Sequence, residues 1–146
     1  MVGIVVIWLV FFLNAGYGLN LNNYGMRPLQ LEGLIGIFTM PFLHGDFDHL
    51  FSNSVPLALS TAFIFLFFNA YKYKIIFLNA LTTGIILWFI GDKGSLHIGA
   101  SGLVYAYIAF LVRHAFLTKN KEMIVSAFIL IFLYSSLIYG IFSEYE

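Results

Sequence analysis

Gly99-Ala100-Ser101-Gly102-Leu103-Val104-Tyr105-Ala106-Tyr107-Ile108 sets a hydroxyl near two glycines at the head of an apolar run that continues to Phe116. Glycine before and after a serine suggests a backbone that something must approach closely. A second apolar run is entered through His44-Gly45-Asp46-Phe47-Asp48-His49-Leu50-Phe51-Ser52-Asn53. Two imidazoles and an amide thus lead into a stretch that otherwise reads as lipid-soluble. Hydroxyl, imidazole and amide are the parts of an acyl-transfer site.

Composition says where such a site would sit. Of the 146 residues, 61% are hydrophobic and 10% charged, and mean hydropathy is +0.93. Soluble domains carry about 25% charged residues. A globule this small cannot bury so much apolar surface, so lipid has to cover it. Seven basic and seven acidic residues balance, leaving no basic face for nucleic acid. Cysteine is absent, which excludes disulfides and thiolate metal sites. The first 18 residues have no basic leader and no small-residue cleavage site, so they read as a retained helix rather than a signal peptide.

Five apolar segments follow, about Val2–Gly18, Leu50–Phe68, Ile75–Gly91, Gly99–Phe116 and Met123–Phe142. Each is near the roughly 17–25 residues that cross a bilayer. The pattern predicts an all-α, polytopic membrane bundle forming a single domain over residues 1–146. Leu31–Phe38 is apolar but too short to span, and is expected to lie at the interface or form a small helix. Lys72, Lys74, Arg113, Lys119 and Lys121 flank two loops on one side, against Arg27 and Lys93 on the other. The positive-inside rule therefore puts the 69–74 and 117–122 loops and the N-terminus in the cytoplasm. Segments two and four then both enter from outside. His49, Asn53 and Ser101 share a depth just below the outer surface, and His49 and Asn53 share a helical face. Gly102 and Ala106 form a small-xxx-small pair that would let these two segments pack closely.

Plainer readings exist for each group. Ser101 is placed as a helix cap would be. His49 and Asn53 would suit hydrogen bonds to loop backbone near the interface. His44, Asp46, Asp48 and His49 lie close in sequence but match no compact zinc signature, and no metal is expected. His97 reads as a loop residue and His114 as a solvated interface residue. Asn79, Thr82 and Thr83 suit hydrogen bonds between helices. What the plainer readings leave unexplained is polar chemistry on two segments at one membrane depth, where such groups are costly unless they have a task.

Taken together, His44-x4-His49-x3-Asn53 and His97-Ile98-Gly99-Ala100-Ser101-Gly102-Leu103-Val104-Tyr105 resemble the rhomboid family of intramembrane serine proteases. The resemblance covers essentially the whole chain. It implies a rhomboid-like bundle with five spans of a six-span core and a site open to water from outside. It implies Ser101 as nucleophile, with His49, Asn53 and the Ser101 N–H as oxyanion-hole donors. His44, Tyr105, Gly99 and Gly102 are implied as supporting residues, with Tyr105 beside the catalytic histidine. It further implies membrane-protein substrates, no cofactor and a bacterial plasma-membrane location; the oligomeric state is left open.

Two departures accompany the resemblance. The Trp-Arg pair often found in the first loop of bacterial members is replaced by Ile35-Gly36. The family's general base is a histidine on a sixth span, and no histidine follows His114 in residues 1–146. The expectation is thus a serine endopeptidase seen without its base. The alternative is a catalytically inactive relative that binds membrane clients. A small carrier or channel component has only hydrophobicity in its favour.

Overall fold

The computed structural model describes residues 2–143, with side chains to residue 135. Five long helices occupy the five apolar segments. They are α1 (Val2–Tyr17), α3 (Phe47–Phe67), α4 (Lys72–Ile90), α5 (Ser101–Thr118) and α6 (Lys121–Ser143). A short helix, α2 (Gly36–Thr39), lies between α1 and α3 within a run of tight turns from Leu31 to Phe42. This run is the small helical segment expected there. No strand occurs among the described residues, only one bridge between Met26 and His97.

Among the described residues, α3, α4 and α5 are long and apolar enough to cross a membrane. The first segment is shorter than its hydropathy implied. Its 16 residues rise about 24 Å, against a hydrocarbon core of about 30 Å. It stops because Asn14 turns back on the chain. The Asn14 carbonyl accepts from the Leu19 N–H at 3.3 Å, and its side chain accepts from the Leu21 N–H at 2.8 Å.

Helix α5 is the centre of the bundle, packed against α3, α4 and α6, while α1 packs on α3. Its buried residues include Leu103, Val104, Tyr107, Ile108, Leu111 and Ala115, which fall within about 140° of the helix circumference and form one continuous buried face. They join Ile7, Leu50, Leu57, Ile64 and Leu130 in one core. Outward faces stay apolar, with Leu66, Phe89, Ile90 and Phe132 exposed. A soluble surface would not tolerate a patch of that size, and in a bilayer it faces acyl chains. This chain is an integral membrane protein.

The segment between α1 and α3 is held by backbone close approach. A side chain at Gly36 would overlap the Met26 and Gly25 backbone, so residue 36 has to be glycine for the loop to fold onto itself. This is where the expected Trp-Arg pair is missing. The loop is instead pinned by the Met26–His97 bridge, by Trp88 Nε1 donating to the Gln30 carbonyl at 3.0 Å, and by the Gly99 N–H donating to the Met40 carbonyl at 3.0 Å. The last of these ties the loop to the serine segment.

The Gly102 expectation needs correction. Its backbone faces α4, where an added carbon would lie 3.1 Å from Thr83 Cγ2. The small residue thus serves the α4–α5 contact, not the α3–α5 contact. Spacing identifies a small-residue face but not the helix that meets it.

Candidate active site

The site starts from a helix cap. The Asp46 side chain accepts from the His49 N–H at 2.7 Å, satisfying one of the orphan donors at the start of α3. Asp48 adds a negative charge to the first turn, where the helix dipole favours it. These acidic residues begin the helix, and no group of three or more metal-ligating side chains gathers among the described residues. Capping at Asp46 fixes His49 in the first turn and Asn53 one turn below it.

Asn53 is buried. Its Nδ2 donates to the His49 carbonyl at 2.8 Å, while its Oδ1 is buried with no partner among the described residues. One amide N–H remains. A buried polar group without a partner costs about 1–3 kcal/mol, so Asn53 is a costly residue to keep at this position.

Ser101 is the first residue of α5, preceded by Ala100 at the cap and by Gly99 with φ of +108°. At 99 a side chain would be strained by the backbone and would also collide with His49, coming within 2.5 Å of Nε2. The His49 ring therefore lies on the bare face of Gly99, two residues before the hydroxyl. The Ser101 N–H, in the first turn, has no acceptor within its own helix. It sits at the positive end of α5. The Ala100 carbonyl accepts from the Val104 N–H at 3.0 Å, so α5 is regular from its first turn.

His44 backs His49. The two rings meet edge to face with centroids 5.1 Å apart. His44 is 2% exposed, and neither of its ring nitrogens has a partner among the described side chains. Burial holds its imidazole well below the ordinary value of 6.5, at about 4, and the neighbouring His49 pushes the same way. The folded protein thus keeps His44 neutral where the unfolded chain would protonate it. From about pH 6.5 down to about 4 the unfolded state binds the extra proton, so stability falls as pH falls through that window. We expect thermal midpoints in neutral detergent to drop between pH 7.5 and pH 4.5. His44→Leu should shrink that drop; an unchanged drop would remove His44 as its source.

Tyr105 lies one turn beyond Ser101 and is 53% exposed. Its ring meets Tyr134 of α6 edge to face at 4.8 Å. Tyr134 is buried, and its hydroxyl lies near the side chains of Ser101 and Tyr105. Sequence reading passed over Tyr134. It is one of nine tyrosines in a run with no motif around it, and only the α5–α6 packing shows what it touches.

Other polar residues are accounted for elsewhere. The Ser95 hydroxyl donates to the Asp92 carbonyl at 2.5 Å, so in the 2.7 Å contact between Ser95 Oγ and His97 Nε2 the imidazole is the donor. His97 is thereby occupied in its own loop. Asn79 and Thr82 bond to carbonyls of their own helix, not between helices as their position in a membrane segment suggested. His114 is wedged against Phe68 and Phe110 with Nδ1 buried, so it is less solvated than its place beside Arg113 implied.

Comparison with known proteins agrees with this architecture. The sequence matches the Rhomboid domain over residues 31–145. The chain belongs to the rhomboid family. Its similar relatives include uncharacterized proteins of Mycobacterium tuberculosis and Mycobacterium bovis, each 30% identical over 145 residues, covering 94% of this chain and 59% of theirs. An uncharacterized protein of Mycobacterium leprae is 32% identical over 130 residues, covering 84% of this chain and 50% of its own. The chain spans about three-fifths or less of the length of these curated relatives. No solved structure matches it. Rhomboid proteins are in general intramembrane serine proteases. The serine helix of this rhomboid lies at the centre of its bundle.

Proposed function

We propose that this rhomboid is the serine-bearing part of an intramembrane endopeptidase that cleaves membrane-protein substrates near the outer surface. The observation that carries the reading is the His49 ring seated on Gly99, two residues before a serine at the start of α5. Ser101 Oγ would attack the scissile carbonyl and form a C–O bond, its proton passing to a histidine outside residues 1–146. The carbonyl oxygen would take the negative charge and accept hydrogen bonds from His49, Asn53 and the Ser101 N–H. The same histidine would then protonate the leaving amine as the C–N bond breaks. Water would release the acyl group by the reverse sequence. Gly99 gives His49 its room, Gly102 sets α5 against α4, His44 backs His49, and Tyr105 offers its exposed ring to the base. The chemistry calls for no cofactor. Substrates and lipid bilayer are the partners of this reading.

The test is cleavage of a transmembrane substrate by the chain joined to a histidine-bearing sixth span. Ser101→Ala should abolish cleavage. His49→Ala and Asn53→Ala should each lower kcat by about 10²–10³, the usual cost of one oxyanion donor. Cleavage that survives Ser101→Ala would end the reading. A second reading, a client-binding pseudoprotease, is favoured by one observation, that Tyr134 faces Ser101 and Tyr105. It predicts no Ser101-dependent cleavage even after the sixth span is added.

The proposal includes an orientation. The N-terminus and the 69–74 and 117–122 loops face the cytoplasm of a bacterial plasma membrane, with residues 92–98 outside. The chain has no cysteine, so single probes are readily introduced. In intact cells an impermeant thiol reagent should label Lys93→Cys and spare Lys74→Cys. The opposite pattern would reverse the orientation.

A further inference from the structure

An apolar cleft of about 1060 Å³ opens between α1, α3 and α4. On α3 its wall runs from Leu57 to Leu66, and on α4 from Tyr73 to Ala80. Nine steps along α3 amount to about 14 Å, close to half of a hydrocarbon core of about 30 Å. Along α3 and α4 its wall is therefore no more than one leaflet deep. Its far end is closed by Ile37 and Pro41. There the backbone of Ile37 presses so closely on Gly84 that a side chain would not fit. A transmembrane helix needs a groove about twice as long. An acyl chain entering from one interface needs this length.

The open end carries charge. Phe65 and Tyr73 line the cleft there, and Lys72 Nζ stands 4.8 Å from the centre of the Phe65 ring and 5.4 Å from that of Tyr73. Its hydrogen-bond partner is the Asn69 Oδ1 at 2.7 Å. These partners are neutral, which leaves the ammonium available to an anion at the headgroup level. We propose that the cleft binds an anionic phospholipid of the leaflet facing the 69–74 loop, with its acyl chain along α3 and α4 and its phosphate on Lys72. The lipid completes the fold from outside. Its chain reaches Leu103 and Tyr107, on the helix that carries Ser101.

The chain is placed in nanodiscs of equal phosphatidylglycerol and phosphatidylcholine with matched acyl chains, and retained lipid is read by native mass spectrometry. Wild type should keep a lipid, favouring phosphatidylglycerol by about fivefold, the effect of one cation at an anionic surface. Lys72→Ala, on the surface, should lower that preference to near one while a lipid is still retained. Ala58→Phe, which fills the cleft, should lose the retained lipid. Equal retention of both lipids by wild type, or a preference unchanged in Lys72→Ala, overturns the proposal. So does a dimer that Ala58→Phe abolishes, which would assign the cleft to a second copy of the chain.

Discussion

Purified residues 1–146 will cleave a membrane substrate at close to the background rate. Joining them to a sixth span whose histidine packs on Tyr105 will raise turnover by a factor on the order of 10⁶. A serine hydroxyl is a weak nucleophile until a neighbouring group takes its proton. None of the four histidines present is placed to do so. His49 lies on Gly99 and is assigned to the oxyanion. His44 is buried behind it. His97 donates to Ser95. His114 lies between phenylalanines four turns away along α5. Tyr134 lies near Ser101, but a phenol holds its proton at neutral pH and makes a poor base. Robust Ser101-dependent cleavage by residues 1–146 alone would make one of these internal groups the base.

The second large effect concerns a pair of glycines. Gly99 and Gly94 both have positive φ, +108° and +92°. An alanine at either place incurs comparable backbone strain, of order 1–3 kcal/mol. Only at 99 does the new carbon meet a side chain, the His49 ring; at 94 the space is open. Gly99→Ala in the six-span form should therefore lower kcat by about 10²–10³ through loss of the His49 donor. Gly94→Ala should leave kcat nearly unchanged while lowering the thermal midpoint. Equal kcat in the two variants would mean that His49 does not act on the reacting carbonyl.

Much of this architecture could be read from the chain because each device is local. Apolar runs bounded by asparagine, glycine and lysine mark the long helices, and Leu31–Phe38 is too short to span, which leaves an interfacial segment or a small helix. The pairing of His49 with Asn53 follows from helix geometry, and the nearness of His49 to the serine segment from shared depth. What stayed hidden depends on which faces meet. Gly102 signals close packing, but its partner, Thr83, lies on a helix nineteen positions away in sequence. Tyr134 has no motif, and its contact with Ser101 and Tyr105 exists only once α6 folds back on α5. The fate of His114 was decided by Phe68, just past the far end of α3. The Asp46 cap was available in principle, since an acidic residue three positions before His49 is a helix-start signal. It was obscured because the same residues invite a metal reading.

In the proposed mechanism Ser101 is the nucleophile of a rhomboid-type site. Fluorophosphonate labelling of the chain joined to a histidine-bearing sixth span, followed by peptide mapping, tests it most directly. One labelled residue is expected, Ser101, with labelling lost in Ser101→Ala and absent from residues 1–146 alone. Label on another residue that persists in Ser101→Ala, or none on a six-span form shown to be folded, would contradict it.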